Sequence, residues 1–71
     1  FVPFRVYPNP ADTEIWIDAV LWSGIGTIYD TQGKLIKTVS INGRTRIDIS
    51  EMSPGSYILS GGENSIPFIV K

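Results

Sequence analysis

Ile28-Tyr29-Asp30-Thr31-Gln32-Gly33-Lys34-Leu35-Ile36-Lys37-Thr38-Val39 places two apolar-rich arms on either side of a tight polar turn. An aspartate at the first turn position can accept hydrogen bonds from the backbone ahead of it, and a glycine at the fourth tolerates positive φ. The arms therefore read as strands, Gly24–Tyr29 and Lys34–Ser40, joined as a hairpin. Leu35, Lys37 and Val39 alternate with Ile36 and Thr38, so both faces of the second arm carry apolar residues and its inward face is ambiguous.

The same period of two continues outward in both directions, which argues for strands rather than helices. Asn42-Gly43 carries the strongest hairpin signal, because a type I′ turn needs positive φ at both central residues. Arg44–Ile49 alternates cleanly, with Thr45, Ile47 and Ile49 against Arg44, Arg46 and Asp48. Ser50–Pro54 is too short for a helix and predicts a single turn. Ser56–Ser60 forms another strand, Gly61-Gly62 a turn, and Ile66–Lys71 the closing strand. Pro67 has no N–H to give a ladder, so this strand belongs at an edge or is paired only on one side around that residue. Toward the N-terminus, Asp12–Ala19 is a strand with Ile15, Ile17 and Ala19 on one face and Glu14, Trp16 and Asp18 on the other. Val20–Ser23 reads as a connection. Val2–Tyr7 is a first strand, ended by the stiff corner Pro8-Asn9-Pro10. Seven short strands at spacings of about ten residues predict an all-β, Ig-like sandwich of two antiparallel sheets.

Composition limits the chemistry. Seventy-one residues suit one small domain, taken here as 1–71. The opening at Phe1, with no methionine and no signal-peptide pattern, reads as a piece of a larger polypeptide. There is no cysteine and no histidine, which removes disulfides, thiolate metal sites and the commonest general base. Six basic and seven acidic residues give a net charge of −1, without the basic face of a nucleic-acid binder. No apolar run approaches the roughly 20 residues that span a bilayer. Serines have no histidine partner, and Lys34 and Lys37 lie on an exposed hairpin. Asp12, Glu14, Asp30, Asp48 and Glu51 are scattered, Asp30 reads as a turn anchor, and Asp30–Gly33 offers too few ligands for calcium. The residues thus predict no catalytic site, no metal and no cofactor. Tyr7, Trp16, Trp22 and Tyr29 suggest either a sugar-stacking platform or ordinary core and half-core aromatics, with the second favoured. Arg44 and Arg46 share a strand face that meets either an anionic partner or water.

Four ordered segments resemble the C-terminal sorting domain of type IX secretion substrates. They are Val6-Tyr7-Pro8-Asn9-Pro10-Ala11, Ile28–Lys34, Ile47–Ser50 with Met52–Leu59, and Phe68-Ile69-Val70-Lys71. The resemblance covers nearly the whole chain and implies that the larger polypeptide is a secreted protein. It implies a non-catalytic signal that takes a passenger, attached in cis, from the periplasm of a Bacteroidetes-type cell through the outer-membrane translocon. Delivery to the cell surface or release follows, without membrane insertion by the domain itself. Implied partners are the translocon, its shuttle components and, for many substrates, a surface sortase. By position it assigns recognition to Phe68, Ile69, Val70 and Lys71, turn roles to Gly33 and Gly55, and motif roles to Pro8, Asn9, Pro10, Tyr29, Asp30 and Tyr57. An unpaired edge on the closing strand would suit β-augmentation by the translocon, and it also permits a dimer. The alternatives are a retained surface component of the secretion machinery, an Ig-like carbohydrate- or surface-binding module, and a purely structural terminal cap.

Overall fold

A computed structural model describes residues 4–62 and 64–71, the side chains of Phe4, Val20 and Leu21 excepted. Val2, where the first predicted strand begins, lies outside them. The described residues form five antiparallel strands: β1 (Phe4–Tyr7), β2 (Glu14–Asp30), β3 (Leu35–Asp48), β4 (Gly55–Gly61) and β5 (Asn64–Val70). β2 is central. It pairs with β3 along one edge, and with β1 and then β4 along the other; β5 completes the sheet against β4.

The seven segments of the sequence lie along these five strands because β2 and β3 are each two segments long. Asp18 is opposite Arg44 and Ser23 is opposite Asn42, so residues 19–22 of β2 face Gly43 alone. This surplus bends the pair and divides it into two layers. Residues 14–19 of β2 lie between β1 and residues 44–48 of β3, whereas residues 24–30 lie between β4 and residues 35–42 of β3. The layers share one core that contains Ile15, Ile17, Ala19 and Ile47 from the first, and Ile28, Val39, Ile41, Leu59, Phe68 and Val70 from the second. The sheet therefore curls into a barrel-like sandwich. At Gly26 an added Cβ would lie 2.5 Å from Ile41 Cδ1, so the core closes directly onto its backbone.

Two sequence expectations are corrected here. Asn42-Gly43 is not a hairpin, because β3 continues through it alongside β2. Gly43 does adopt the positive φ of +63° that the motif implies, but spends it on the bend. Thr45 Oγ1 accepts from the Asn42 N–H at 3.0 Å across that bend. Likewise Val20–Ser23 is strand rather than a separate connection. Trp22 lies over the backbone of Gly24 and Gly62, where a Cβ would come within 2.8 Å and 3.3 Å of its ring.

The Asp30 hairpin forms as its residues predict. Asp30 Oδ1 accepts from the N–H groups of Gln32 and Lys34, each at 2.9 Å, and Gly33 takes a φ of +82°. The ambiguous face of the second arm is settled by an irregularity opposite Tyr29, which leaves Leu35 and Ile36 exposed and puts Val39 and Ile41 inside. Lys37 falls at a position paired with buried Ile28, and its Nζ donates to the Asp48 carbonyl at 2.8 Å. The contact joins the two halves of β3, and an edge lysine of this kind discourages strand addition there.

Candidate functional site

The closing strand is held on three sides, by segments far from it in sequence. Along its inner edge β5 pairs with β4 from Gly55↔Val70 to Gly61↔Asn64. Along its outer edge it meets the corner after β1. The Ile69 N–H donates to Asn9 Oδ1 at 2.9 Å, the Ala11 N–H donates to the Ile69 carbonyl at 2.7 Å, and the Lys71 N–H donates to the Ala11 carbonyl at 2.8 Å. Ala11 and Val70 thereby form a parallel bridge. Two prolines flanking Asn9 fix the local backbone, so its amide side chain is presented as a stand-in for a strand carbonyl.

This arrangement accounts for Pro67. Successive residues of a strand point their backbone groups to opposite edges. Ile69 faces the Asn9–Ala11 clasp, so Pro67, two residues earlier, also faces outward, away from β4. Its missing N–H costs no ladder bond. The sequence placed the proline at an edge, and it lies there. The edge itself is not free as expected: at residues 69–71 the clasp occupies it.

Beneath the strand, Phe68 and Val70 are buried, at 1% and 3% exposure. The Phe68 ring stacks on Tyr57 with centroids 5.8 Å apart, and the Tyr57 hydroxyl donates to the Ser53 carbonyl at 2.6 Å. That bond ties the turn at 49–54, where the Met52 N–H donates to the Ile49 carbonyl, to the terminal strand. Gly55 opens β4 with a φ of +153°, a conformation that side chains rarely adopt. Asp30 pairs with Tyr57 and Tyr29 with Ile58, so the Asp30 hairpin abuts the same region. Of the four proposed recognition residues, only Ile69, 49% exposed, and Lys71 turn their side chains outward.

The remaining candidates lie elsewhere. Trp16 and Tyr7 are cross-strand neighbours on the outer face of the first layer. The Arg44 guanidinium sits 4.7 Å over the Trp16 ring, and Arg46 Nε donates to Glu14 Oε1 at 2.8 Å. Trp22 packs against the core and Tyr29 belongs to the second layer. The four aromatics therefore do not assemble into one platform. Asp48 Oδ1 accepts from the Ser50 N–H at 2.9 Å. That bond, with the Ser50 side chain and the nearby Lys37 and Arg46 charges, holds the Asp48 carboxyl below the usual aspartate range.

The place of Ala11 in the clasp is what sequence reading missed. Its methyl is buried in the core while its backbone N–H and carbonyl hold β5, and neither contact has a local sequence signal; the paired prolines around Asn9 are the nearest clue.

Residues 5–71 match a family described as the secretion system C-terminal sorting domain. No curated protein and no solved structure matches significantly. The match takes in every segment that converges on β5: the clasp, the Asp30 hairpin, the Tyr57 strand and the closing strand itself. The chain belongs to the type IX secretion C-terminal sorting domain family, whose members serve as sorting signals rather than enzymes and work with the secretion machinery on a passenger in cis.

Proposed function

We propose that this domain is a C-terminal address that takes its passenger from the periplasm through the type IX outer-membrane translocon, and that Phe68–Lys71 is the part read. The carrying observation is the clasp. Three hydrogen bonds from Asn9 and Ala11 fix Ile69 and Lys71 in a defined orientation, while Phe68 and Val70 anchor the strand in the core. A folded signal of this kind presents a constant shape whatever passenger precedes it, which a generic export apparatus requires. Ile69 and Lys71 are the side chains offered to the translocon and its shuttle components; a surface sortase acts after passage.

The test uses a full-length substrate in secretion-competent cells. Ile69→Ser with Lys71→Glu alters the outward side chains and leaves the core residues in place. Deleting Phe68–Lys71 removes both. Each change should leave the passenger in the periplasm. Normal surface delivery of both forms contradicts the proposal.

A further inference from the structure

The clasp closes nearly the whole chain into one loop. Asn9 bonds to Ile69 across sixty positions, and Ala11 bonds to Ile69 and Lys71 beside it. β2, β3 and β4, and β5 as far as Ile69, all lie inside that loop. Tension applied along the chain from its two ends therefore cannot extend any of them until the clasp gives way. β1 stands outside the loop, and peeling it from β2 frees only the few residues before Asn9.

Strand direction decides how the clasp is loaded. Ala11 and Val70 form a parallel bridge, so the chain enters the clasp at Asn9 and leaves it at Lys71 from opposite ends. Pulling those ends slides the two segments past one another, and the three hydrogen bonds of the clasp bear the tension together. The β4–β5 pair behaves differently. Its strands are antiparallel, with Gly55 opposite Val70 at one end, so drawing Glu51 and Lys71 apart opens the bonds one at a time.

Both sides of the clasp are stiff and anchored. Pro8 and Pro10 fix φ on either side of Asn9, which leaves little slack for tension to take up. Just past the clasp, the Thr13 carbonyl accepts from the Ile49 N–H at 2.9 Å and ties this segment to the turn at 49–54. β4 holds β5 along the other edge, from Gly55 to Gly61. The bridged residues Ala11 and Val70 are both core, so parting them exposes apolar surface as well as unpairing backbone groups.

We propose that the Asn9–Ala11 clasp is a mechanical lock, which keeps residues 11–69 folded when the chain is drawn from its two ends. The occasion for such tension rests on the sorting reading, in which a passenger before the domain and a reader of the closing strand hold opposite ends of it. The lock itself needs neither, because it is built from the closed loop and the parallel bridge.

The test stretches single substrate chains, passenger included, in an optical trap. One handle is attached just before residue 1 and the other after Lys71. Release of the lock frees about sixty residues in one step, roughly 200 Å at about 3.5 Å per residue. Moving the first handle to Glu51 pulls β4 from β5 instead. At a matched constant force the domain should open at least about tenfold more slowly end to end than from Glu51, because two further hydrogen bonds must be lost at once. Asn9→Ala should speed end-to-end opening about fivefold, the equivalent of one net hydrogen bond, and change opening from Glu51 less. Asn9→Asp keeps an oxygen that accepts from the Ile69 N–H and should retain the original rate. Equal opening rates in the two pulling directions overturn the inference, and so does end-to-end opening in several small steps, because the loop would then not be held shut at one place. An equal effect of Asn9→Ala and Asn9→Asp overturns it too, since the bond to Ile69 would not be what holds. Delivery is not read in this experiment, so the lock and the sorting reading can each fail without the other.

Discussion

Asn9→Ala removes one acceptor and nothing from the core, so it isolates the clasp. In the folded protein the Ile69 N–H points away from β4 and donates to Asn9 Oδ1 at 2.9 Å. Alanine keeps the residue between its prolines but leaves that N–H to water. A net protein hydrogen bond contributes about 1 kcal/mol, within roughly 0.5–1.5 kcal/mol. If the clasp opens locally, 1 kcal/mol corresponds to about a fivefold rise in the opening equilibrium at Ile69. The neighbouring bonds through Ala11 should feel part of the same change, because they hold the same stretch of strand. Native-state amide exchange followed by NMR provides the measurement. The Ile69 amide should exchange about fivefold faster, and Lys71 faster to a smaller degree. The amides of Ile28 and Leu59, in the middle of the sheet, should lose no more than the small change in global stability. Equal loss at Ile69, Ile28 and Leu59 would mean that the clasp does not open as a local unit. No change at Ile69 would mean that Asn9 does not hold the strand at all.

Phe68→Ala should cost about 3–5 kcal/mol, the usual range for truncating a buried aromatic residue. For a domain of this size, whose total stability by the per-residue rule is roughly 4–10 kcal/mol, much of the protein would unfold; urea titration measures it, and a loss below about 1 kcal/mol would place Phe68 outside the core. Asp48 should titrate below 3.8, chiefly because its carboxylate accepts from the Ser50 backbone. A carboxyl with a lowered folded pKa supports the fold at pH values above its ordinary pKa, and that support disappears as pH falls through the lowered value. Asp48→Asn should therefore flatten the acid limb of the stability curve below about pH 4, and a carboxyl midpoint of 3.8 or higher in an NMR titration would contradict the geometry.

Local chemistry was legible in the sequence, and non-local closure was not. The Asp30 hairpin could be read because all its determinants lie within five residues: one carboxylate, two N–H groups and a glycine. Asn42-Gly43 was read correctly as a site of positive φ and wrongly as a chain reversal. Both a type I′ turn and a strand bend use that conformation. What decides between them is whether Ile41 pairs with Arg44, as a two-residue turn would require, or with Gly24, as it does, and that depends on a strand nearly 20 residues away. Lys37 is a similar case, since its alternation alone gave no sign that its exposed side chain would reach the Asp48 carbonyl. The clasp depends on Asn9 meeting Ile69, sixty positions along the chain. Family resemblance named both segments without indicating that they touch. Their contact follows from the curl of the sheet, which brings the corner after β1 to the outer edge of β5.

The same geometry changes how the closing strand is to be understood. From the sequence the terminal position and Pro67 left two readings, a staple for the sheet or an edge open to a partner. In the structure its backbone is committed on both sides near Ile69, and two of its four terminal side chains are core. On the proposed reading the address and the sheet staple are one element, so a substitution that abolishes delivery can do so by unfolding the domain. Stability and delivery must be measured together.

The most direct test of the central claim is a fusion experiment. A folded reporter with its own periplasmic targeting is given residues 1–71 at its C-terminus in a cell with an active type IX system, and its distribution among periplasm, outer surface and medium is measured. The account predicts the reporter at the surface or in the medium, and in the periplasm when the translocon is inactivated. A folded, intact fusion that stays in the periplasm of secretion-competent cells would contradict it.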